Sequence, residues 1–218
     1  MRVLVINPNS TQAMTAHVAA LLQPLLKIGS NVLQYTARNG PSVIATRETF
    51  DAAAKAACDA LGLAIEKVQH VDHVLLACFG DPGLEAMRSI TSTPITGLAQ
   101  ASMQVAERMN KPYALVTAGK AWEAILVQRF RQWGAGPMFL GVQVINGTGQ
   151  DVFNDPLSAL PAVLLAIDAA RAHGAEHIIL GGAAFAGYKA VMQKSGFNTD
   201  GLLDCVECAA DVINQSTS

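Results

Sequence analysis

Residues 71–80, V-D-H-V-L-L-A-C-F-G, decide the fold, because their pattern returns at residues 175–184 as A-E-H-I-I-L-G-G-A-A. In this alignment His73 falls on His177, and Cys78 falls on Gly182. Each segment follows a long alanine-rich stretch of helical spacing. A second pair, V-L-V-I-N-P-N-S at residues 3–10 and Y-A-L-V-T-A-G-K at residues 113–120, precedes a helix-like segment each time. The repeat predicts two similar α/β lobes.

The whole chain alternates short β-branched runs with longer Ala- and Leu-rich segments, which is typical of parallel sheets covered by helices on both faces. We therefore predict an α/β fold, with residues 1–96 plus 203–218 in the first lobe and residues 97–202 in the second. The predicted strands occupy residues 3–7, 32–35, 73–78, 95, 113–117, 142–145 and 177–181. The predicted helices occupy about residues 11–26, 47–69, 98–109, 122–133, 157–173 and 202–213.

The composition narrows the class of ligand. Of the 218 residues, 51% are hydrophobic and 15% charged, so the chain can bury a core and is not a disordered protein. The formal net charge of −2 offers no basic surface for nucleic acid, which predicts a small-molecule partner. We expect neither a signal peptide nor a membrane span in the printed sequence, and hence a cytoplasmic protein.

The predicted site lies where the parallel strands end, because ligands of open α/β sheets bind beyond the carboxyl ends of the strands. Four strand-end loops qualify: residues 7–10, 78–83, 117–119 and 181–184. If the lobes face each other about a pseudo-two-fold axis, Cys78 and Gly182 lie on opposite sides of one cleft.

Cys78 is the candidate reactive thiol. Asp81 and Pro82 are predicted to be the N-cap and first turn of a short helix, and a nearby helix N-terminus would lower the pKa of the thiol. The competing interpretation is a buried structural cysteine. Asp81 fits a helix cap as well as a catalytic carboxylate.

The other chemistry-bearing residues have structural interpretations. Cys205 and Cys208 form a C-x-x-C inside a helical stretch with no second ligand pair, which disfavours a redox or zinc site, and Cys58 is expected to pack in the core. His73 and His177 stand at strand starts, away from the predicted cleft. No dinucleotide or phosphate-binding glycine motif follows a strand, so dinucleotide and nucleoside triphosphate sites lack support.

The predicted substrate-binding residues come from the strand-end loops and the segment after the last of them. Backbone amides near several of them are expected to bind a carboxylate or imide oxygen of a ligand. They are Asn9, Ser10, Phe79, Gly80, Asp81, Thr117, Ala118, Gly119, Ala183, Ala184 and Tyr188.

Five segments together resemble the aspartate, glutamate and hydantoin racemase superfamily, and most closely its hydantoin and allantoin racemase branch. They are V-I-N-P-N-S-T at residues 5–11, A-C-F-G-D-P-G at 77–83, P-I-T-G-L-A-Q-A from residue 94, L-V-T-A-G at 115–119 and I-L-G-G-A at 179–183. The resemblance implies two flavodoxin-like lobes with pseudo-two-fold symmetry, a cofactor-independent isomerase acting on a small carboxylate, amide or cyclic imide, and a homodimer or higher homo-oligomer.

The resemblance also implies two cysteines, one on each face of the substrate's α-carbon. Cys78 matches the first, but Gly182 occupies the place of the second, and glycine offers no acid or base. The first hypothesis is a racemase that uses Cys78 for proton transfer at a carbon alpha to a carbonyl. The alternatives are a one-thiol decarboxylase of the arylmalonate type, a maleate-type cis-trans isomerase, a glycine substituted for a natural cysteine, and a metabolite sensor without catalysis.

Overall fold

The structure is a computed structural model that describes residues 1–68 and 70–216. The described residues form two four-stranded parallel sheets flanked by helices. The strands are β1 Arg2–Asn7, β2 Asn31–Thr36, β3 His73–Leu76, β4 Ile95–Gly97, β5 Tyr113–Ala118, β6 Phe139–Ile145, β7 His177–Leu180 and β8 Leu202–Asp204. The helices are α1 Gln12–Leu22, α2 Arg47–Lys67, α3 Leu84–Ile90, α4 Leu98–Arg108, α5 Ala121–Gln132, α6 Gly149–Asn154, α7 Pro156–Ala172, α8 Tyr188–Lys194 and α9 Cys205–Gln215.

The two sheets have the same strand order, β2-β1-β3-β4 in the first and β6-β5-β7-β8 in the second. The strands of the repeated segments, β3 and β7, therefore hold equivalent places. Every pairing is parallel, and His73 and His177 lie beside Val3 and Tyr113, the residues near the starts of the two central strands. The predicted α/β fold class is confirmed.

Side chains of β1 alternate between two cores, because successive residues of a strand point to opposite faces. Val3 and Val5 face a central core shared by both sheets and by α1, α4 and α9. Leu4 and Ile6 face an outer core under α2. A third core covers the opposite face of the second sheet, under α7. The shared central core holds the carboxyl ends of the two sets of strands around one cavity.

The predicted helix over residues 202–213 is wrong at its start, because Leu202–Asp204 forms β8 and pairs with β7. The α9 helix begins only after Asp204, whose carboxylate accepts hydrogen bonds from the amides of Val206 (2.8 Å) and Glu207 (3.3 Å). A strand of only three residues, Leu-Leu-Asp, directly followed by a helix shows no strand periodicity of its own. Gln69, where the second predicted helix ends, and residues 217–218 of the first predicted lobe lie outside the described residues.

Candidate active site

One cavity opens where β1, β3, β5 and β7 end, and it contains about 630 Å³ of space not filled by protein, part of it open to solvent. Cys78 lines it from the first sheet, and Gly182 lines it from the second. The two positions matched by the repeat thus share one cavity. The lining residues are Asn9, Met14, Ser42, Val43, Ile44, Ala77, Cys78, Phe79, Thr117, Ala118, Trp122, Leu126, Gly149, Gln150, Gly181, Gly182, Ala183, Ala184 and Phe185.

Cys78 lies two residues beyond β3 with 7% of its surface exposed. Burial and, secondarily, the nearby Asp81 carboxylate raise the pKa of its thiol above the ordinary value of 9.0. The lowered pKa predicted from the sequence is therefore wrong. The expected helix is short, and it begins after Gly83, not after Asp81. No arginine, lysine or histidine among the described residues lines the cavity to offset the burial of a thiolate.

Asp81 does not line the cavity; it ties the Cys78 loop to a neighbouring helix. Its carboxylate accepts hydrogen bonds from the amides of Ala99 (3.0 Å) and Gln100 (2.8 Å) in the first turn of α4. It fits there because Gly97 has no side chain; a Cβ at that position would collide with the carboxylate. Burial raises the pKa of Asp81 to about 7. The prediction of Asp81 as a substrate-binding residue, or as cap of the helix that follows it, is corrected accordingly.

Gly182 adopts a backbone conformation that other residues rarely reach, with φ +146° and ψ +141°. A Cβ built there would lie 3.1 Å from Cδ2 of Phe185. Its carbonyl accepts a hydrogen bond from the Cys205 thiol at 3.5 Å. The backbone at this position, in the loop that lines the cavity from the second sheet, is thus shaped for glycine.

Comparison with known proteins assigns the chain to a family. Residues 3–213 match the model of the Asp/Glu/Hydantoin racemase family. The chain belongs to this family. It is 31% identical over 195 residues to the hydantoin racemase of Paenarthrobacter aurescens (86% of this chain, 80% of the relative), and 31% identical over 186 residues to that of Rhizobium meliloti (83% and 75%).

Solved structures agree with that assignment. The allantoin racemase from Klebsiella pneumoniae superposes with a TM-score of 0.89 at 25% identity, covering 100% of this chain and 87% of the other. The family and the isomerase class predicted from the sequence, that of a racemase, are confirmed.

Several predicted site residues of this racemase-family chain take other roles. The amide of Asn9 donates to Oδ1 of Asn7 (3.1 Å), and the amide of Ser10 donates to the Pro41 carbonyl (3.2 Å), so neither amide is free for an enolate oxygen. Asn9 still lines the cavity, but Ser10 is exposed outside it. Tyr188 is buried in the outer core of the second sheet, with its hydroxyl donating to the Pro156 carbonyl (2.6 Å).

The remaining predicted residues divide in two. Thr117, Ala118, Ala183, Ala184 and Phe79 line the cavity, and the Thr117 hydroxyl donates to the Gly181 carbonyl at 2.7 Å. Gly80 and Gly119 do not line it, and the Gly119 amide donates to the Ile145 carbonyl.

Two runs of backbone amides at this site have no acceptor within the part of the chain that the structure describes. One run is residues 78–80, after β3, and the other is residues 182–184, after β7. Successive amides without internal partners are typical of sites that bind anionic or carbonyl oxygens. The two runs meet at the same cavity, which Cys78 and Phe79 of the first run and all three residues of the second run line.

The sequence prediction missed a wall of the cavity contributed by residues 42–44 and by the helix α5, through Trp122 and Leu126. Residues 42–44 belong to an irregular loop whose path no periodicity predicts. Trp122 follows the Thr117-Ala118-Gly119 loop by a few residues, which was the available signal.

Two further observations concern the described residues only. None of their helices is long and apolar enough to cross a membrane. No group of three or more of their His, Cys, Asp and Glu side chains could hold a metal ion.

Proposed function

We propose that this chain catalyses proton exchange at the carbon alpha to a carbonyl of a small uncharged cyclic amide, such as a 5-substituted hydantoin, with Cys78 as the acid–base group. One observation carries the proposal. Among the described residues that line the cavity, Cys78 is the only one with a titratable side chain. Proton transfer by a positioned side chain needs such a group.

The uncharged lining supports a neutral substrate over aspartate or glutamate. A carboxylate transferred into a largely apolar cavity without a cationic partner loses much of its hydration free energy. Among the described side chains that line the cavity, those of Gln150 and Ser42 offer uncharged hydrogen-bonding groups, and none offers a cation. A cyclic amide needs hydrogen bonds only.

The chemistry follows from the thiol and the backbone amides. The Cys78 thiolate takes the α-proton and becomes a thiol, while the electrons of the broken C–H bond form an enolate whose negative charge rests on the carbonyl oxygen. The amides of residues 78, 79 and 182–184 are suited to bind that oxygen. While the enolate is bound, the thiol exchanges its proton with water, and transfer of the new proton to the same face of the α-carbon gives exchange with retention.

Gly182 makes the proposed enzyme one-sided. No acid or base of this chain faces the substrate from that position, so water must supply the proton for inversion. We therefore propose a hydantoin-type racemase whose exchange on the Cys78 face is faster than its inversion.

A second candidate function is favoured by the same single thiol. A one-thiol enzyme of the decarboxylase type protonates an enolate left by loss of carbon dioxide, and the raised pKa of Cys78 keeps the thiol in the protonated form that this step requires. The absence of a cation from the described lining counts against its dianionic malonate substrate. A maleate-type isomerisation faces the same objection.

The test follows deuterium and optical rotation together. Each enantiomer of a 5-substituted hydantoin is incubated separately in heavy water, with a no-enzyme control for spontaneous exchange. We expect rapid exchange with retention for one enantiomer and slow loss of rotation. Equal rates of exchange and inversion from both enantiomers would show two bases. Carbon dioxide release from a disubstituted malonate, without hydantoin exchange, would favour the second candidate.

A further inference from the structure

An irregular segment crosses the cavity from the first sheet toward the second. We call residues 37–46, between β2 and α2, the strap. Its residues Ser42, Val43 and Ile44 line the same cavity as Cys78. No described residue accepts a hydrogen bond from the amides of residues 42–44, so the strap is held there through its carbonyl groups.

Three anchors hold those carbonyls. The Ser10 amide donates to the Pro41 carbonyl (3.2 Å), and the Thr11 hydroxyl donates to the Ser42 carbonyl (3.4 Å); both anchors come from the β1–α1 connection. The third comes from the other side of the cavity, where the indole Nε1–H of Trp122 donates to the Ile44 carbonyl at 3.0 Å. The strap therefore bridges the cavity, and Trp122 holds its far end.

Trp122 is itself held by both strand-end regions. Its ring and that of Phe50 form a T-shaped pair, with ring centroids 5.7 Å apart and planes at 80°. A Cβ built at Gly80 would lie 2.9 Å from the indole Cζ3, and one built at Gly119 would lie 3.3 Å from its Cδ1. The indole thus packs against glycines that follow β3 and β5, leaving it little freedom to move.

We propose that Trp122 is a positioning and specificity-determining residue: it fixes the strap over Cys78 and thereby limits the size of the group that enters beside Val43 and Ile44. The part of this proposal that concerns substrate size rests on the proposed function. The part that concerns access to Cys78 does not.

Thiol access tests the strap without any substrate. Trp122→Phe removes the indole N–H and keeps an aromatic ring. Trp133→Phe is the matched control, because the only other tryptophan also donates its indole N–H, to Glu85 at 3.0 Å, but does not line the cavity. Brief treatment with iodoacetamide, followed by peptide mass analysis, gives the alkylation rate at Cys78, with the half-buried Cys58 on α2 as internal reference.

The loss of one hydrogen bond predicts a rise of roughly two- to tenfold in Cys78 alkylation for Trp122→Phe, with Cys58 unchanged. Trp133→Phe should leave both rates unchanged. Equal alkylation rates at Cys78 in the wild type and in Trp122→Phe, with melting temperatures that show both proteins folded, would overturn the proposal that Trp122 fixes the strap over Cys78, whatever the enzyme's substrate.

Substrate size tests specificity. With hydantoins carrying methyl, isobutyl and benzyl groups at the ring carbon, Trp122→Phe should change the ratio of kcat/KM between benzyl and methyl, mainly through KM, while Trp133→Phe preserves it. A uniform fall of kcat for all three would assign Trp122 a structural role only. If wild type processes no hydantoin, the proposed function fails, and the alkylation result still decides the access role of the strap.

Discussion

The two loops that face each other across the cavity, residues 77–83 after β3 and residues 181–187 after β7, hold equivalent places in the fold and differ in chemistry. Each loop follows a strand of the repeated segment, and each contains a run of backbone amides that donate to no acceptor among the residues that the structure describes. Only the first carries a titratable side chain into the cavity, at Cys78. The duplicated fold thus supplies oxygen-binding amides from both sides and a proton carrier from one.

The loops are also fastened by different means. In the first, Asp81 belongs to the loop and reaches the amides at the start of α4. In the second, Asp204 ends β8, caps α9, and accepts a hydrogen bond from the loop amide of Gly187 at 2.6 Å. In both cases an aspartate joins the strand-end loop to the helix that comes after the next strand, α4 or α9. The aspartate belongs to the loop in the first case and to the helix cap in the second. The hydrogen bonds that hold each loop in place therefore do not depend on which residue the loop presents to the substrate.

The largest expected effect comes from removing the one thiol. Cys78→Ser should lower the rate of hydantoin deuterium exchange by about 10²- to 10⁴-fold, the usual worth of a positioned acid–base group, because a hydroxyl supplies almost no base near neutral pH. Cys58→Ser is the matched control, since Cys58 lies on α2, away from the cavity. Retained exchange in a folded Cys78→Ser protein would place the chemistry elsewhere.

The second effect concerns pH. If Cys78 is the sole acid–base group, exchange should rise about tenfold per pH unit, following the thiolate fraction, and show no plateau below pH 9.0, because burial raises the pKa of the thiol above that ordinary value. The sign follows from the base role: the active form is the deprotonated one, so rate increases with pH.

A two-thiol enzyme would behave differently, since one thiol must be deprotonated and the other protonated. That requirement gives a bell-shaped profile. The measurement is initial exchange rate between pH 6 and pH 10, corrected for spontaneous exchange in the absence of enzyme. A bell centred near neutrality would contradict the one-sided site.

The repeat of residues 71–80 at residues 175–184 was enough to predict the fold class and the placing of Cys78 and Gly182 on one cavity, because the period and spacing of buried strands are local properties of sequence. The orientation of Asp81 was not predictable, since its partners Ala99 and Gln100 are distant in sequence and depend on the missing side chain of Gly97. The raised thiol pKa depends on burial, which is a property of the assembled cavity.

The strap escaped prediction for a related reason. Residues 42–44 have neither strand nor helix periodicity, and their position is set by hydrogen bonds to Thr11 and Trp122 from two separate regions of the chain. Loops of this kind are read from tertiary contacts, not from local pattern.

The smallest expected effect is the loss of stability when a side chain is added to the second loop at Gly182. It bears most directly on why the two loops differ. Gly182→Ala should lower the free energy of unfolding by about 3 kcal/mol, because φ +146° lies in a region that is nearly closed to other residues and the added Cβ meets Phe185. Gly29→Ala is the control: its φ is +84°, and nothing lies within 4 Å of the added Cβ, so about 1 kcal/mol is expected.

Urea denaturation gives the free energies of unfolding of the two variants. The difference between them shows how far the conformation of Gly182 and its contact with Phe185 exclude a side chain, and so whether a second thiol could stand at that position. Gly182→Cys should then be destabilised like Gly182→Ala and gain little inversion, because its Cβ lies against Phe185 on a backbone that disfavours a side chain. If Gly182→Ala proves no costlier than Gly29→Ala, the loop relaxes easily, and Gly182→Cys should acquire inversion as fast as exchange from both hydantoin enantiomers. In that case the two loops would differ only because one side chain is missing at residue 182. If Gly182→Ala is costlier, as we expect, the loops differ because the backbone at Gly182 excludes a side chain.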